Sequence, residues 1–316
     1  MNRKQLASLR KNPLLAFVGV LSTEAFRWLP DDLFLKIVYR CRLGKKLPLK
    51  NPQTFNEKLQ WLKLFDHRPE YITYVDKYAV REHIRTTIGE EHLVPLIGVW
   101  DNADSIDFDA LPDRCVLKCT HDSGGVIVYD RSRSDVEAVR NQLSAALKKD
   151  FYLRGREWPY KHVCPRIIAE TFLDTEDTEL MDYKFLCFHG VPEMLMVCSS
   201  RTAMGVNVTF LDLDWNRLPF ERHYPAAPEP LSRPKSLNKM IDIAAQLSAG
   251  IPFVRVDLYE VHGQVYFGEL TFYPGCGFEE FHPEEWDMRL GEMIQLPGSC
   301  ASQKIPLSVL QEHKKD

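Results

Sequence analysis

The 316-residue chain has the composition of a globular protein, with 45% hydrophobic residues, 27% charged residues and a formal net charge of −4. This balance argues against a nucleic-acid-binding protein that depends on neutralising phosphates, although local basic clusters leave anionic substrates open. Eight cysteines are too few for a disulfide scaffold and no cleavable signal is recognised at the N-terminus, so we expect a reduced, cytoplasmic chain.

Residues 3–43 are predicted to form two helices with a break near residues 30–32, where two aspartates favour a helix start. The most apolar stretch, residues 13–21, is too short to cross a bilayer, because a transmembrane helix needs about 20 residues. It suits a helix packed on the core, or one lying on a membrane surface or a partner. We favour packing, with peripheral membrane or assembly-complex contact through residues 13–43 as the alternative.

A Thr-x-x-Glu capping box that begins at Thr54 predicts a helix over residues 54–64. Another helix is predicted over residues 72–88. Lys77 and Arg81 stand four residues apart and therefore on one face of that helix. The local sequence alone favours a solvated basic face there.

From residue 93 the pattern changes to short strands, at 93–100, 115–119 and 126–129. Lys118 lies on the second of these, before the turn Thr-His-Asp-Ser-Gly-Gly at 120–125. Glycines let backbone N–H groups face an anion and lysine adds a point charge, so the hairpin suits phosphate, although Gly-Gly alone is more often a plain turn. It is not a P-loop, because the lysine precedes the glycines.

Further along, helices are predicted at 134–149 and 237–249, and strands at 166–173 and 208–213 with a hairpin at 181–198 between them. The tail after residue 297 is polar, and we expect it to be loosely held. Four basic side chains are candidates for contact with an anionic substrate, or are simply solvated: Arg154, Arg156, Lys161 and Arg201.

The most informative stretch is a hairpin with strands at 254–261 and 265–272. A three-residue turn between them would place Asp257 opposite Glu269, with side-chain roots about 5 Å apart. Like charges at opposed positions are destabilising, so we expect a cation between them. An incidental acid pair on a solvent-facing strand is the alternative.

The same register places Arg255 opposite Thr271, next to the acid pair.

A different metal site is suggested by Cys115, Cys119 and His121. That spacing is loose and no second Cys/His pair follows, so we do not favour zinc. The signatures of serine hydrolases, zincins and dinucleotide dehydrogenases are absent from the sequence.

Six phrases in this order resemble the ATP-grasp superfamily, and more closely its TupA-like branch from teichuronopeptide biosynthesis. The resemblance implies an α+β fold in which two lobes clamp ATP, here with an N-terminal helical extension. It covers most of residues 50–298. The phrases are TFNEKLQW (54–61), DKYAVR (76–81), VLKCTHDSGG (116–125), DYKF (182–185), RVDLY (255–259) and FGELTF (267–272).

The resemblance also implies roles for single residues. Lys118 is similar to the strand lysine that contacts ATP phosphates, and Lys77 to a helix lysine that approaches the nucleotide. Ser123, Gly124 and Gly125 resemble the loop that closes over the phosphates. Arg255 resembles the arginine that stabilises charge on the transferred phosphoryl group, and with Lys118 it forms the expected catalytic pair.

The remaining implied sites concern the base, the ribose and the metal. The hinge that reads adenine corresponds to Glu170, Thr171, Phe172 and Leu173. Asp182 is expected to reach the ribose, and Lys184 completes the nucleotide-binding set. Asp257, Glu269 and Thr271 are the expected Mg²⁺ ligands, although many members of the superfamily have asparagine in place of this threonine.

We therefore expect an ATP- and Mg²⁺-dependent carboxylate–amine ligase that joins an amino acid to a uronic acid or amino sugar of a cell-surface polysaccharide precursor. It would be cytoplasmic or at the inner membrane face, with no nucleic-acid partner. The alternatives are a sugar kinase on the same fold and a glycosyltransferase-like assembly protein.

The expected domains are a helical extension (1–70), an N-terminal α/β part (71–112), a small lobe (113–172), a C-terminal lobe (173–298) and a flexible tail (299–316).

Overall fold

The computed structural model describes residues 13–175, 179–202 and 205–298, so the expected tail and the start of the first predicted helix lie outside the described residues. The chain divides into two compact units, each built from segments that are separate in sequence. The first comprises Met1–His67, Tyr152–Trp158 and Tyr273–Asp316. The second comprises Arg68–Phe151 and Pro159–Phe272.

Helices and antiparallel strands alternate along the described chain. The helices are α1 (Pro13–Leu21), α2 (Asp31–Leu43), α3 (Phe55–Phe65), α4 (Glu70–Val75), α5 (Val80–Thr87), α6 (Val136–Leu147), α7 (Tyr152–Gly155), α8 (Leu237–Ser248) and α9 (Glu285–Met293). Short 3₁₀ segments lie at Glu24–Phe26, Glu90–His92, Ala103–Ser105, Trp158–His162 and Pro274–Gly277. The strands are β1 (Leu96–Trp100), β2 (Arg114–Cys119), β3 (Val126–Asp130), β4 (Ile167–Thr171), β5 (Asp182–Phe188), β6 (Val191–Thr202), β7 (Gly205–Leu211), β8 (Glu221–Arg222), β9 (Phe253–Val261), β10 (Gln264–Thr271) and β11 (Phe281–His282).

In the first unit, α1 packs against α2. One side of α1 buries Val18 and Leu21 in a cluster with Phe34 and Val38 of α2. Packing of residues 13–21 is therefore confirmed for this side of the helix. None of the described helices is both long and apolar enough to cross a membrane.

The capping box predicted for α3 is confirmed. The Glu57 backbone N–H donates to Thr54 Oγ1 (3.3 Å), and the Thr54 N–H donates to Glu57 Oε2 (3.1 Å). Together these bonds satisfy two of the donors that a helix start leaves without intrahelical partners.

The single helix predicted over residues 72–88 is wrong, because α4 ends at Val75 and α5 begins at Val80. Asp76 leaves the helical conformation, and its Oδ1 accepts hydrogen bonds from the N–H groups of Tyr78 and Ala79. A short carboxylate that bonds the following backbone competes with helix continuation. Lys77 consequently lies in the break between the two helices.

The second unit contains a four-stranded antiparallel sheet with the order β1-β4-β2-β3. Alternation along β2 turns Cys115, Leu117 and Cys119 into a core cluster that includes Leu143 of α6. Lys118 falls between the buried positions and therefore lies on the opposite face of the sheet.

A five-stranded antiparallel sheet of the same unit has the order β10-β9-β5-β6-β7. Helix α8 packs on β9, β5 and β6. The alternating apolar positions Val254, Val256 and Leu258 of β9 are buried, as the sequence pattern predicts for one face of a strand. The intervening positions Arg255 and Asp257 lie on the other face.

The pairing of Asp257 with Glu269 predicted for the β9–β10 hairpin is confirmed, although the turn between the strands is shorter than expected. The turn has two residues, since Val261 pairs with Gln264, and not the three that we expected. Uninterrupted pairing would then place Glu269 opposite Val256, on the apolar face. A bulge at Gly268 inserts one residue and brings Glu269 opposite Asp257.

Gly268→Ala should destabilise this hairpin, because a Cβ there would lie 2.9 Å from Tyr259 Cε2 and 3.0 Å from the Asp257 carbonyl oxygen. We expect the free energy of unfolding to fall by about 1–3 kcal/mol in chemical denaturation. Gly19→Ala is the control, since nothing lies within 4 Å of its Cβ position and alanine favours a helix. Equal stability of Gly268→Ala and the native protein would contradict the bulge requirement.

Candidate active site

A largely buried group of charged side chains occupies the polar face of β9 and β10, with Arg255 at its centre. The Arg255 guanidinium donates to both carboxylate oxygens of Asp257, through Nε and Nη2 at 2.6 Å each. Its Nη2 also donates to Glu269 Oε1 (3.0 Å) and Thr271 Oγ1 (2.9 Å). The cation expected between the two acids is therefore supplied here by the chain's own arginine.

Strand β5 contributes a second cation. Its register places Lys184 directly opposite Asp257, and the Lys184 ammonium donates to Asp257 Oδ2. Asp182, two residues earlier on the same face of β5, accepts an ion pair from Lys184 at 2.6 Å. The polar faces of three adjacent strands thus form one charge network.

Three carboxylates face two cations in this network, so one negative charge is in excess when all the groups are ionised. Burial raises the pKa of the Asp257 carboxyl to about 6, against the opposing effects of Arg255 and Lys184. Burial acts in the same direction on Glu269, but the charges of Arg255 and Lys184 outweigh it and lower the Glu269 pKa to about 2. Burial likewise disfavours charged Lys184, yet Asp257 and Asp182 raise its pKa overall.

The donor set of this network fits a magnesium ion. Carboxylate and hydroxyl oxygens are the hard ligands that Mg²⁺ prefers, and it commonly takes one or two carboxylates together with substrate phosphates. Glu269 is the accessible acid, with 32% of its side chain exposed against 1% for Asp257. The Thr271 hydroxyl donates to Glu269 Oε1 (2.9 Å) while accepting from Arg255, so metal ligation would replace one of these bonds.

On the four-stranded sheet, the predicted phosphate lysine and the predicted adenine-reading acid contact each other. Lys118 Nζ donates to Glu170 Oε2 (2.6 Å), while Arg81 Nη1 donates to Glu170 Oε1 (3.1 Å). The second guanidinium nitrogen of Arg81 donates to the Val94 carbonyl (3.0 Å). Both oxygens of this buried carboxylate therefore accept charge-assisted hydrogen bonds.

Lys77 approaches the glycine-containing turn before β3. Its ammonium donates to the Asp122 carbonyl oxygen and lies 3.7 Å from Asp122 Oδ1. Its charge is also among those that lower the Glu269 pKa, after those of Arg255 and Lys184. The solvated basic face expected for Lys77 and Arg81 is wrong, because both side chains are largely buried and paired with acidic residues.

Other predicted nucleotide contacts lie in the turn between β2 and β3 and at the end of β4. Ser123 and Gly124 are exposed at the tip of the β2–β3 turn, and Gly124 has a φ of 97°, which favours glycine. Gly125 is partly buried beside them. Thr171 ends β4 and is exposed, while Phe172 and Leu173 are partly buried.

The four basic candidates for an anionic substrate do not share one environment. Arg154 and Lys161 are exposed. Arg156 is buried in the first unit, where it donates to the Phe26 carbonyl (2.9 Å) and lies over the Phe34 ring, so it cannot meet a substrate from there. The Arg201 side chain lies outside the described residues.

The disfavoured zinc site finds no support in the structure. Cys115 and Cys119 face the apolar core of the four-stranded sheet, and His121 Nε2 lies 3.0 Å from the Lys149 carbonyl oxygen. Within residues 13–175, 179–202 and 205–298, no group of three or more His, Cys, Asp and Glu side chains is arranged to hold a metal ion.

The pairing of Arg81 with Glu170 is a feature of the site that the sequence did not predict. Glu170 carried the usable signal, because an acid within the apolar strand Ile167–Thr171 needs a nearby cation when it is buried. Nothing in local spacing indicates that Arg81, which is 89 residues earlier, is that cation.

Comparison with known proteins supports one family. The model of the TupA-like ATP-grasp family matches residues 57–295. No curated protein matches the chain. Among solved structures, an ATP complex of D-alanine–D-alanine ligase from Bacillus anthracis aligns at 13% identity and a TM-score of 0.42, covering 70% of this chain and 65% of the ligase. The chain thus spans less than two thirds of that ligase.

Two further solved structures align in the same way. D-alanine–D-alanine ligase from Helicobacter pylori has 12% identity and a TM-score of 0.42, with 78% of this chain and 70% of the ligase covered. D-cycloserine synthetase DcsG has 16% identity and a TM-score of 0.38, with 77% of this chain and 80% of the synthetase covered.

Lys184→Met should unfold more readily than the native protein. It removes a buried cation from Asp182 and Asp257, and breaking a buried ion pair in this way costs about 3–5 kcal/mol. Lys184→Arg keeps the charge and is the matched control. Denaturant titration should separate the two variants; equal stability of Lys184→Met and the native protein would show that the network does not stabilise the fold.

The buried thiols should resist alkylation. Burial raises the pKa of Cys119 to about 11 and that of Cys187 to about 12, so their reactive thiolate forms are scarce at about pH 8. Mass spectrometry after iodoacetamide treatment of the native protein should find Cys164, which is exposed, modified before Cys119 and Cys187. Modification of Cys119 at the same rate as Cys164 would contradict the burial of β2.

Proposed function

Because the chain belongs to the TupA-like ATP-grasp family, we propose that it is an ATP- and Mg²⁺-dependent carboxylate–amine ligase. The family match over residues 57–295 carries this proposal, since that range includes Lys77, Lys118 and the charged hairpin. The α+β architecture is the ATP-grasp fold. ATP-grasp ligases use ATP and Mg²⁺ to activate a carboxylate for attack by an amine.

In this proposal the nucleotide is held by residues of both sheets. Lys77 and Lys118 face the phosphates, and the turn with Ser123, Gly124 and Gly125 closes over them, excluding water from the activated carboxylate. The side chain of Glu170 and the backbone of residues 171–173 read the base. Since Arg81 and Lys118 each donate to one Glu170 oxygen, contact of that carboxylate with the base would replace one of these bonds.

The reacting end of the nucleotide is assigned to the β9–β10 hairpin. Asp257 and Glu269 would hold Mg²⁺, with Thr271 as the third oxygen ligand, and the ion would neutralise phosphate charge when bound. Arg255 would stabilise charge on the transferred phosphoryl group, which is worth a few kcal/mol of barrier in comparable sites. Asp182 would serve the ribose, and Lys184 would keep Asp257 oriented and ionised.

For the two joined substrates, we propose an amino acid and an anionic glycan precursor that carries a uronic acid or amino sugar. The resemblance to the teichuronopeptide branch supports this choice. Exposed Lys161 of the second unit supplies positive charge that a uronate would favour. A cytoplasmic site, or one at the inner face of the membrane, would give access to such precursors.

The decisive experiment incubates the protein with ATP, Mg²⁺, pooled amino acids and a uronic-acid glycan whose carboxylates carry ¹⁸O. A ligase that activates the carboxylate by phosphorylation releases ADP and transfers one ¹⁸O atom to inorganic phosphate, while an amide product appears by mass spectrometry. A sugar kinase instead gives a phosphorylated sugar without free phosphate. That outcome, or failure to bind ATP, would overturn the ligase proposal.

Asp257→Asn should lower ATP turnover by at least about 100-fold, because it removes one of the two carboxylates assigned to the metal. Asp242→Asn, an exposed position on α8, is the matched control and should turn over ATP like the native protein. Circular dichroism checks that both variants fold. Unchanged turnover by folded Asp257→Asn would remove Asp257 from the metal site.

A further inference from the structure

Positive charge is concentrated at the N-terminal end of the sequence. Residues 1–50 contain eleven Lys and Arg but three Asp and Glu, a net charge of +8, although the whole chain carries −4. The rest of the chain is therefore strongly acidic. Such a charge asymmetry indicates that the basic part meets an anionic partner or surface.

The same part of the chain exposes large apolar side chains. Helix α1 contains no charged residue, and beside the buried Val18 and Leu21 it exposes Phe17 (47% exposed) and Val20 (53%). Beyond the 3₁₀ segment that follows, Trp28 is 74% exposed. Leu33, in the first turn of α2, is 44% exposed.

Basic side chains accompany these apolar ones. Lys46 and Lys50 follow α2, are exposed, and make no ion pair among the described residues. Lys36 and Arg40 lie on the α2 face that also carries Leu33, at helical spacings of three and seven residues. The segment 13–50 therefore presents apolar and cationic groups to solvent.

From this combination we propose that residues 13–50 bind an anionic lipid surface, with Phe17, Val20 and Trp28 entering the interfacial layer and Lys46 and Lys50 meeting the headgroups. Exposed tryptophan is characteristic of membrane–water interfaces, and basic residues beside an apolar helix face are characteristic of peripheral binding. This proposal is independent of the reaction assigned to the second unit.

A second copy of the chain is a poorer occupant of the surface. A twofold dimer brings the same patch of both subunits together, so the net charge of +4 on residues 13–50 would face the same charge on the other copy. Charge of one sign on both sides disfavours that contact. An anionic lipid layer offers the opposite charge and an apolar interior.

The test uses the full chain and sedimentation with vesicles of phosphatidylcholine, with and without phosphatidylglycerol. We expect binding to the anionic vesicles alone and release at high salt, because surface charges are then screened. Phe17→Ser/Trp28→Ser and Lys46→Glu/Lys50→Glu should each weaken binding by about tenfold or more. Trp28→Phe should still bind, but should lose part of the blue shift in tryptophan fluorescence.

Matched controls are Val128→Ser, an exposed apolar position on β3, and Lys235→Glu/Lys239→Glu near and on α8; both should bind like the native protein. Absence of binding to anionic vesicles would overturn the proposal, as would equal losses in the test and control variants. It would also fall if light scattering showed a dimer that Phe17→Ser/Trp28→Ser dissociates, while vesicle binding stays unchanged. That result would assign the surface to a second copy.

Discussion

The burial of Asp257 against Arg255 is the interaction on which the site depends. A carboxylate without solvent is costly unless cations and hydrogen bonds compensate it, and the paired guanidinium bonds at 2.6 Å, with Lys184 from the neighbouring strand, supply that compensation. The compensation requires β5, β9 and β10 to keep one register, which the bulge at Gly268 and the packing of α8 maintain. The charge network therefore depends on the strand pairing of this sheet.

Each cation assigned to the nucleotide is already held by an acidic residue of the chain. Lys118 is bound to Glu170, Lys77 to Asp122 and Arg255 to Asp257. Binding of an anionic nucleotide would thus replace internal ion pairs with phosphate contacts. The free energy of binding would then depend on how much stronger the phosphate contacts are than the ion pairs that they replace. These ion pairs would hold the cationic side chains in place before a nucleotide binds.

Much of the fold follows from the sequence, because strands with alternating polarity and helices with clear caps are determined locally. The partners Asp257 and Glu269 could be predicted for this reason. The length of the turn could not be predicted, because the turn is one residue shorter than expected and the bulge at Gly268 adds one residue, which together give the same pairing. Neither the helix break at Asp76 nor the approach of Arg81 to Glu170 was predictable, because both depend on side-chain bonds, the second between distant segments.

A crystal structure with Mg²⁺ and a non-hydrolysable ATP analogue would test the central assignment most directly. The account predicts a metal ion bonded to Asp257 and Glu269, nucleotide phosphates beside Lys118 and the Ser123–Gly125 turn, and Glu170 turned toward the base. A nucleotide bound elsewhere would contradict it. So would a nucleotide at this site with both acids still closed on Arg255 and no metal between them.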